Sequence, residues 1–391
     1  MQFSLTDKVF IASIAILALP YIFSLFLSRK WFPLAVIQIS CGILFGPAIL
    51  GHFFPTFQET LFSKEAVGAL QGLAMISVVF FSAGIGHELE LKKDNIKLWK
   101  EILLTTFVPG IIGWFTAPYM LQLFDLGMVN DWKWQAIVAL ALSMAAIPIM
   151  GVILRQLGIN NTKLGQNILT MALVTDAFVW VALTVFLWVL NYAHIHWAWA
   201  LVYVVAQIVL ARPFLKWMEH KPHSELFLIV YLLVSGGLAH FVGIHFIFGG
   251  FLAGVLIPKS YYKTAIEPHY YTVSILMVPF FFHFTGLKTT FSLDGFAIIG
   301  MALLWLAIGG ITKFLGMIAV GNSIRDSWTS GWILQTKGLM DIVMAAILLE
   351  HGVINQQVFA ALIIYAIFST LITTPLTYGA VNGKDKIKIG K

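Results

Sequence analysis

Two stretches of this sequence place ionisable groups where the chain is otherwise apolar. Asp176 is the only charged residue in "LTMALVTDAFVWVALTV" (169–185), and the hydroxyl of Thr175 stands beside it. In "GWILQTKGLMDIV", Gln335, Thr336, Lys337 and Gly338 interrupt an apolar run. Asp341 follows Lys337 at i+4, the spacing that puts two side chains on one helix face. A charge at the centre of a membrane span costs about 2.5–3.5 kcal/mol on insertion scales, so it persists only with a partner or a task. Desolvation opposes the charged form of such a group, while an opposite charge or a bound cation restores it. A carboxylate so placed is a site where protons and metal cations compete for the same oxygens. The bland alternative is a fixed Asp176–Lys337 ion pair, and Asp341 could simply hold the charge of Lys337. Thr175 could ligate a cation or bond back to its own helix, and Thr336 and Ser143 add hydroxyls beside the interruptions.

These residues need spanning helices to position them. Of the 391 residues 59% are hydrophobic and 11% charged, with a mean hydropathy of +0.88, far from a water-soluble globular chain. A span needs ~20 mostly apolar residues. Thirteen stretches qualify, near 9–27, 33–50, 66–86, 101–124, 133–156, 163–190, 197–218, 224–242, 244–260, 268–287, 293–320, 328–350 and 356–380. Asp176 falls roughly 20 Å into its span at 1.5 Å per residue. Continuous apolar runs, rather than alternating ten-residue segments, exclude a β-barrel. No loop is long enough for a separate domain and the chain stops at "VNGKDKIKIGK", so residues 1–391 read as one transmembrane domain without a soluble regulatory part. "MQFSLTDK" lacks the basic start of a cleaved signal peptide. The single cysteine, Cys41, excludes an intrachain disulfide.

Net charge is +6, but its placement reports orientation rather than nucleic-acid binding. With thirteen spans, Lys8, Lys64, Lys133 and Lys288 fall on the side of the N-terminus. Eighteen basic residues fall opposite, among them Arg29, Lys30, Lys92, Lys93 and the C-terminal lysines. The positive-inside rule then puts the N-terminus outside and the C-terminus in the cytoplasm of a plasma (inner) membrane protein. Only Lys313 and Lys337 lie within spans, and Lys313, about two turns from the cytoplasmic end, can snorkel to the rim and reads as structural. His240, His245 and His283 sit on apolar backgrounds as packing residues, without metal-ligand spacing.

Local patterns recur seven spans apart. "CGILFGPAILG" (41–51) is echoed by "GGFLAGVLIP" (249–258), both with Gly-x-x-x-Gly, and "VVFFSAGIGHELEL" (78–91) by "VPFFFHFTGLKTTF" (278–291). An odd offset inverts the second copy, the plan of many secondary transporters, although the glycines alone also suit ordinary small-residue packing. The same offset pairs the fifth span, where Pro148 interrupts "ALSMAAIPIMGVIL", with the twelfth, where Gly338 follows Lys337. Both spans are expected to break at mid-membrane, where protein or a water-filled cavity must satisfy the freed backbone.

The ordered blocks "SCGILFGPAILG", "ALSMAAIPIMGVILRQLGINNTKLGQ", "TDAFVW", "VPFFFHFTGLKT" and "GWILQTKGLMDIV" resemble the membrane domain of monovalent cation:proton antiporters of the second group. They look most like the cation/proton exchangers first described in plants and their microbial relatives. The resemblance covers essentially the whole chain. It implies an all-α fold of thirteen helices, with a core domain moving against a dimerisation domain in a homodimer and two broken helices crossing beside an essential aspartate. On this match Asp176 carries the ion and the proton, and Lys337 is the basic position of the second broken helix. No cofactor is implied beyond transported Na⁺ or K⁺ and H⁺. Where relatives carry hydroxyls or a second polar residue, this chain has Thr175, Ala145 and Ala146. Backbone carbonyls and water must then supply more of the coordination, which suits a weakly hydrated ion. One carboxylate predicts electroneutral exchange of one cation for one proton. The alternative on the same scaffold is a gated potassium efflux pathway of the glutathione-regulated type. An intramembrane enzyme would need clustered catalytic groups, which the sequence lacks.

Overall fold

The computed structural model describes residues 4–27, 34–47, 49–87, 96–192, 197–244, 246–265, 267–288 and 295–388, and among them there is no strand. The first half of the chain forms α1 (Leu5–Phe26), α2 (Leu34–Phe45), α3 (Leu50–Phe53), α4 (Pro55–Leu61), α5 (Lys64–His87), α6 (Ile96–Leu123), α7 (Trp132–Ser143), α8 (Ile147–Gln156) and α9 (Lys163–Val189). Next come α10 (Trp197–Ala206), running through a π-helical turn (Gln207–Ala211) into α11 (Arg212–Met218), then α12 (Ser224–Phe241), α13 (Phe246–Leu256), α14 (Lys259–Ala265) and α15 (Glu267–Leu287). The last quarter forms α16 (Gly295–Ala319), α17 (Ile324–Leu334), α18 (Leu339–Glu350) and α19 (Gln356–Lys388).

Among the described residues nine helices are long and apolar enough to cross a membrane. The other four expected spans correspond to the interrupted pairs α7/α8 and α17/α18, the short α13, and α15. Both interruptions fall in the fifth and twelfth spans, the pair the repeat singles out. The fold is thus a polytopic helical membrane protein with inverted-repeat punctuation.

Two compact units divide the chain. In the first (residues 1–19, 54–90 and 180–284), α13 packs on α5 and α12 through glycine. A Cβ at Gly254 would run into the Ala83 backbone of α5, and one at Gly250 would lie 2.6 Å from the Val79 carbonyl oxygen. The Gly-x-x-x-Gly of this segment is therefore a close-packing face, in which missing side chains let backbones touch. Gly254→Val is expected to force α5 and α13 apart, at an overpacking cost of about 1–3 kcal/mol. Thermal unfolding of the detergent-solubilised protein reads this as a lower midpoint, and an unchanged midpoint contradicts it.

The second unit (residues 20–53, 91–179 and 285–391) holds both broken helices, α6, α16, α19 and the part of α9 that carries Asp176. Here the first Gly-x-x-x-Gly also packs, since a Cβ at Gly286 would lie 2.7 Å from the Cα of Gly42. Asp131 starts α7 by accepting the amides of Lys133 and Trp134 at 3.0 and 3.1 Å, and Ser323 starts α17 by accepting that of Asp326 at 3.1 Å. Gly113 lets α6 approach α7, and Trp134 donates its indole N–H to the Ala117 carbonyl at 2.8 Å across the same contact. These contacts fix α7 and α17, the half-helices that lead into the two breaks.

Candidate functional site

The first break spans Met144–Ala146, between the end of α7 and the start of α8. The sequence points to Pro148 itself as the interruption. Instead Pro148 falls in the first turn of α8, where a missing N–H leaves no intrahelical bond unmade. α8 starts at Ile147, one residue before the proline, and the break lies in the three residues ahead of it. The second break spans Gln335–Gly338, between α17 and α18. The two breaks touch: the Ala146 amide donates to the Thr336 carbonyl at 2.9 Å. A Cβ on Gly338 would meet Ile149 Cδ1 at 2.6 Å and Ala146 Cβ at 3.0 Å, so glycine is what permits this approach.

The freed backbone groups find partners in side chains and in the opposite break, as a low-dielectric interior requires. Lys337 Nζ donates to the carbonyls of Ala141 (2.7 Å) and Met144 (2.5 Å). Lys313 Nζ, reaching in from α16, donates to the carbonyls of Met144 (2.6 Å) and Leu334 (2.8 Å). Asp341 accepts the Gly338 amide at 2.8 Å and lies 3.4 Å from Lys337 Nζ, which gives it the capping and charge-holding role. From α19, Ser369 accepts the Lys337 amide at 3.0 Å and Thr370 donates to the Lys337 carbonyl at 2.7 Å. Thr336 donates its hydroxyl to Thr373 at 3.2 Å, turning away towards α19. Gln335 donates to the Tyr365 hydroxyl, and the Tyr365 ring lies 5.4 Å from Lys337 Nζ.

Asp176 is 2% exposed, and among the described residues neither of its oxygens has a hydrogen-bond partner. The charges that act on it are those of Asp341, Lys337 and Lys313, and the Ala145 backbone N–H also faces it. The Asp176–Lys337 ion pair that the sequence allows is not formed, since Lys337 pairs with Asp341. Among the described residues Thr175 does not bond back to its own helix. Its hydroxyl pairs with that of Thr106 on α6 at 2.6 Å, fixing the rotation of α9 next to the acid. Ser143 ends α7, buried against α6, where a Cβ on Gly110 would lie 2.6 Å from its Oγ, and it makes no bond to Asp176.

Lys313 does not snorkel. It is 1% exposed and its ammonium sits at the crossing rather than at the rim, because two unpaired carbonyl ends offer it acceptors that lipid headgroups do not replace. Ser369, Thr370 and Thr373 join the site without having been singled out from sequence. Their signal is a run of hydroxyls in the otherwise apolar "FSTLITTPLT". Of the histidines, His240 is exposed and His283 is fully buried against Phe62, while His245 lies outside the described residues. No group of acids, histidines and cysteines among the described residues could hold a resident metal ion.

Two mid-membrane breaks touching beside a buried cluster of two acids and two bases form the kind of centre on which secondary transporters are built. The chain belongs to the sodium/hydrogen exchanger transmembrane family, which it matches over residues 10–379. It is 28% identical over 399 residues to the Na(+)/H(+) antiporter NhaS4 of Synechocystis, covering 93% of this chain and 94% of that one. It is 30% identical over 370 residues to cation/H(+) antiporter 19 of Arabidopsis thaliana, covering 88% of this chain but only 46% of the plant protein. The chain thus spans less than half the length of its plant relatives. Its fold is shared with the sodium proton antiporter MjNhaP1 of Methanocaldococcus jannaschii, at a TM-score of 0.70 and 14% identity over 96% of this chain and 97% of that one.

Proposed function

We propose that this protein exchanges a monovalent cation for a proton by alternating access, with Asp176 as the carrier of both. The observation that carries this reading is a buried carboxylate with no hydrogen-bond partner beside the two crossing breaks. A permanent structural acid would have its oxygens satisfied. An acid that must take up and release a proton and a cation in turn gains from keeping them free.

Lys337 and Asp341 hold the second break and set the local potential, and Lys313 bridges both breaks. Backbone carbonyls and water complete the coordination. Relatives named for sodium/proton and for potassium/proton exchange support either ion as cargo. With one carrier acid, one cation leaves for each proton that enters, and the cycle is electroneutral. The protein works as a multi-pass homodimer in the plasma membrane, with its N-terminus outside and its C-terminus in the cytoplasm. The unit holding the broken helices acts as the moving core.

The test is reconstitution into proteoliposomes loaded with a pH-sensitive dye, with Na⁺, K⁺ or Li⁺ added in turn. At least one ion is expected to move protons, and silence towards all three removes the reading. Because proton and cation compete for one acid, the rate falls as pH is lowered, and a higher cation concentration recovers it. A valinomycin-imposed voltage without a pH gradient is expected to leave Na⁺ exchange unchanged, and voltage-driven uptake would contradict electroneutrality.

A further inference from the structure

The half-helix α17 carries two hydroxyls that the fold does not use. Ser327 and Ser330 are fully buried, and among the described residues neither oxygen has a hydrogen-bond partner. At i+4, i+7 and i+11 from Ser323, the positions Ser327, Ser330 and Leu334 follow one stripe of the helix, about 16 Å long from first to last at 1.5 Å per residue.

The rest of α17 is committed elsewhere. Arg325 donates to the Ala380 carbonyl and Trp328 to the Leu376 carbonyl (2.9 Å) on α19, while Gly331 packs on Phe314 of α16. The hydroxyl stripe therefore lies on the face turned away from α19. It ends at the Leu334 carbonyl, which accepts from Lys313 at the crossing.

At the other end of the stripe stands a third buried carboxylate, after Asp176 and Asp341. Glu101 of α6 is 4% exposed and accepts the Asn322 side-chain amide at 2.8 Å, one residue before the cap of α17. No cation is paired with Glu101 among the described residues. Its only side-chain partner among them is that neutral amide, which also donates to the Met317 carbonyl at 3.1 Å.

We propose that Ser327 and Ser330, with Glu101 and Asn322 at their mouth, form a second, transient site for the cation. It lies between Asp176 and the side of the membrane where α17 begins. Alkali cations entering hydrocarbon must exchange hydration water for oxygen ligands step by step, and several weak sites in series conduct better than one strong site. A carboxylate at the mouth concentrates cations, and hydroxyls one helical turn apart replace water as the ion descends. Two buried hydroxyls without partners also penalise this closed arrangement relative to one that opens onto water, which favours opening on this side. This inference rests on the exchange proposed above and names the approach to the same site. In the proposed orientation, the approach is cytoplasmic.

The full chain in proteoliposomes tests it with the variants Ser327→Ala/Ser330→Ala and Glu101→Gln. The alanines remove hydroxyls that bond to nothing, and glutamine keeps an oxygen for Asn322, so thermal midpoints should hold. Each variant is expected to raise the apparent KM for Na⁺ or K⁺ presented on the α17 side several-fold, with little change in KM from the other side. An unchanged KM in both variants overturns the proposal.

Ser330→Cys in a Cys41→Ala background gives a readout that needs no transport. A charged methanethiosulfonate reagent should modify it from the α17 side only, and more slowly when Na⁺ or K⁺ is present. Modification from neither side, or cation-independent modification, sinks the site. A protein that exchanges no cation but still shows cation-protected labelling would instead remove the exchange reading, and with it the role as an approach, while leaving a cation site on α17.

Discussion

Replacing Asp176 with asparagine is expected to abolish cation/proton exchange while the protein stays folded. Asparagine has nearly the same shape and cannot carry a proton or a full negative charge. Among the described residues neither carboxylate oxygen makes a hydrogen bond, and asparagine keeps an oxygen for the Ala145 N–H that faces it, so little is lost on substitution. Removing a buried, unpartnered acid relieves a desolvation cost, so the thermal midpoint should stay or rise. The dye signal in proteoliposomes should fall to that of protein-free vesicles for every ion and at every pH. Exchange at the unmodified rate by this variant would end the proposal that Asp176 is the carrier. A folded, silent Asp176→Asn protein is also the control against which a partial loss in any other variant is read.

Much of this centre is legible in the amino-acid sequence, because burial makes ionisable residues conspicuous. Asp176 and Lys337 stand out as charges inside apolar runs, and the repeat pairs the two spans that break. The details escape sequence for a physical reason: they depend on where side chains turn in space. Thr175 reads as a ligand or a back-bonding hydroxyl, yet α6 supplies Thr106 as its partner from a residue remote in sequence. Pro148 draws the eye as the breaker, whereas proline sits comfortably in the first turn and the break precedes it. Snorkelling is the default for a lysine two turns from the membrane rim, and sequence gives no sign of a carbonyl pair inside that outbids the headgroups. The hydroxyls of α19 are visible as a composition but not as ligands of the second break.

Lys313→Met should have the second-largest effect, and it separates the jobs this residue does. Both lysine ammoniums contact the Met144 carbonyl oxygen, so they lie within about 5 Å of each other. At an effective dielectric of 20, two full charges at that separation repel by about 3 kcal/mol. Asp341, 3.4 Å from Lys337, offsets part of that repulsion. Methionine removes that repulsion and a lysine desolvation cost, but it leaves the Leu334 carbonyl without this donor, a penalty of about 1–3 kcal/mol. These terms oppose one another, so the thermal midpoint should move only a few degrees. Exchange should fall far more, because the link from Leu334 to Met144 is lost and the crossing is left to Lys337 and the Ala146–Thr336 bond. With one cation gone from beside Asp176, the proton also wins the competition over more of the pH range, and residual exchange should peak at higher pH. Lys313→Arg, which keeps the charge and can still reach two carbonyls, should recover part of the rate. Near-normal exchange with an unmoved pH profile in Lys313→Met would mean that the bridge across the two breaks is incidental to transport.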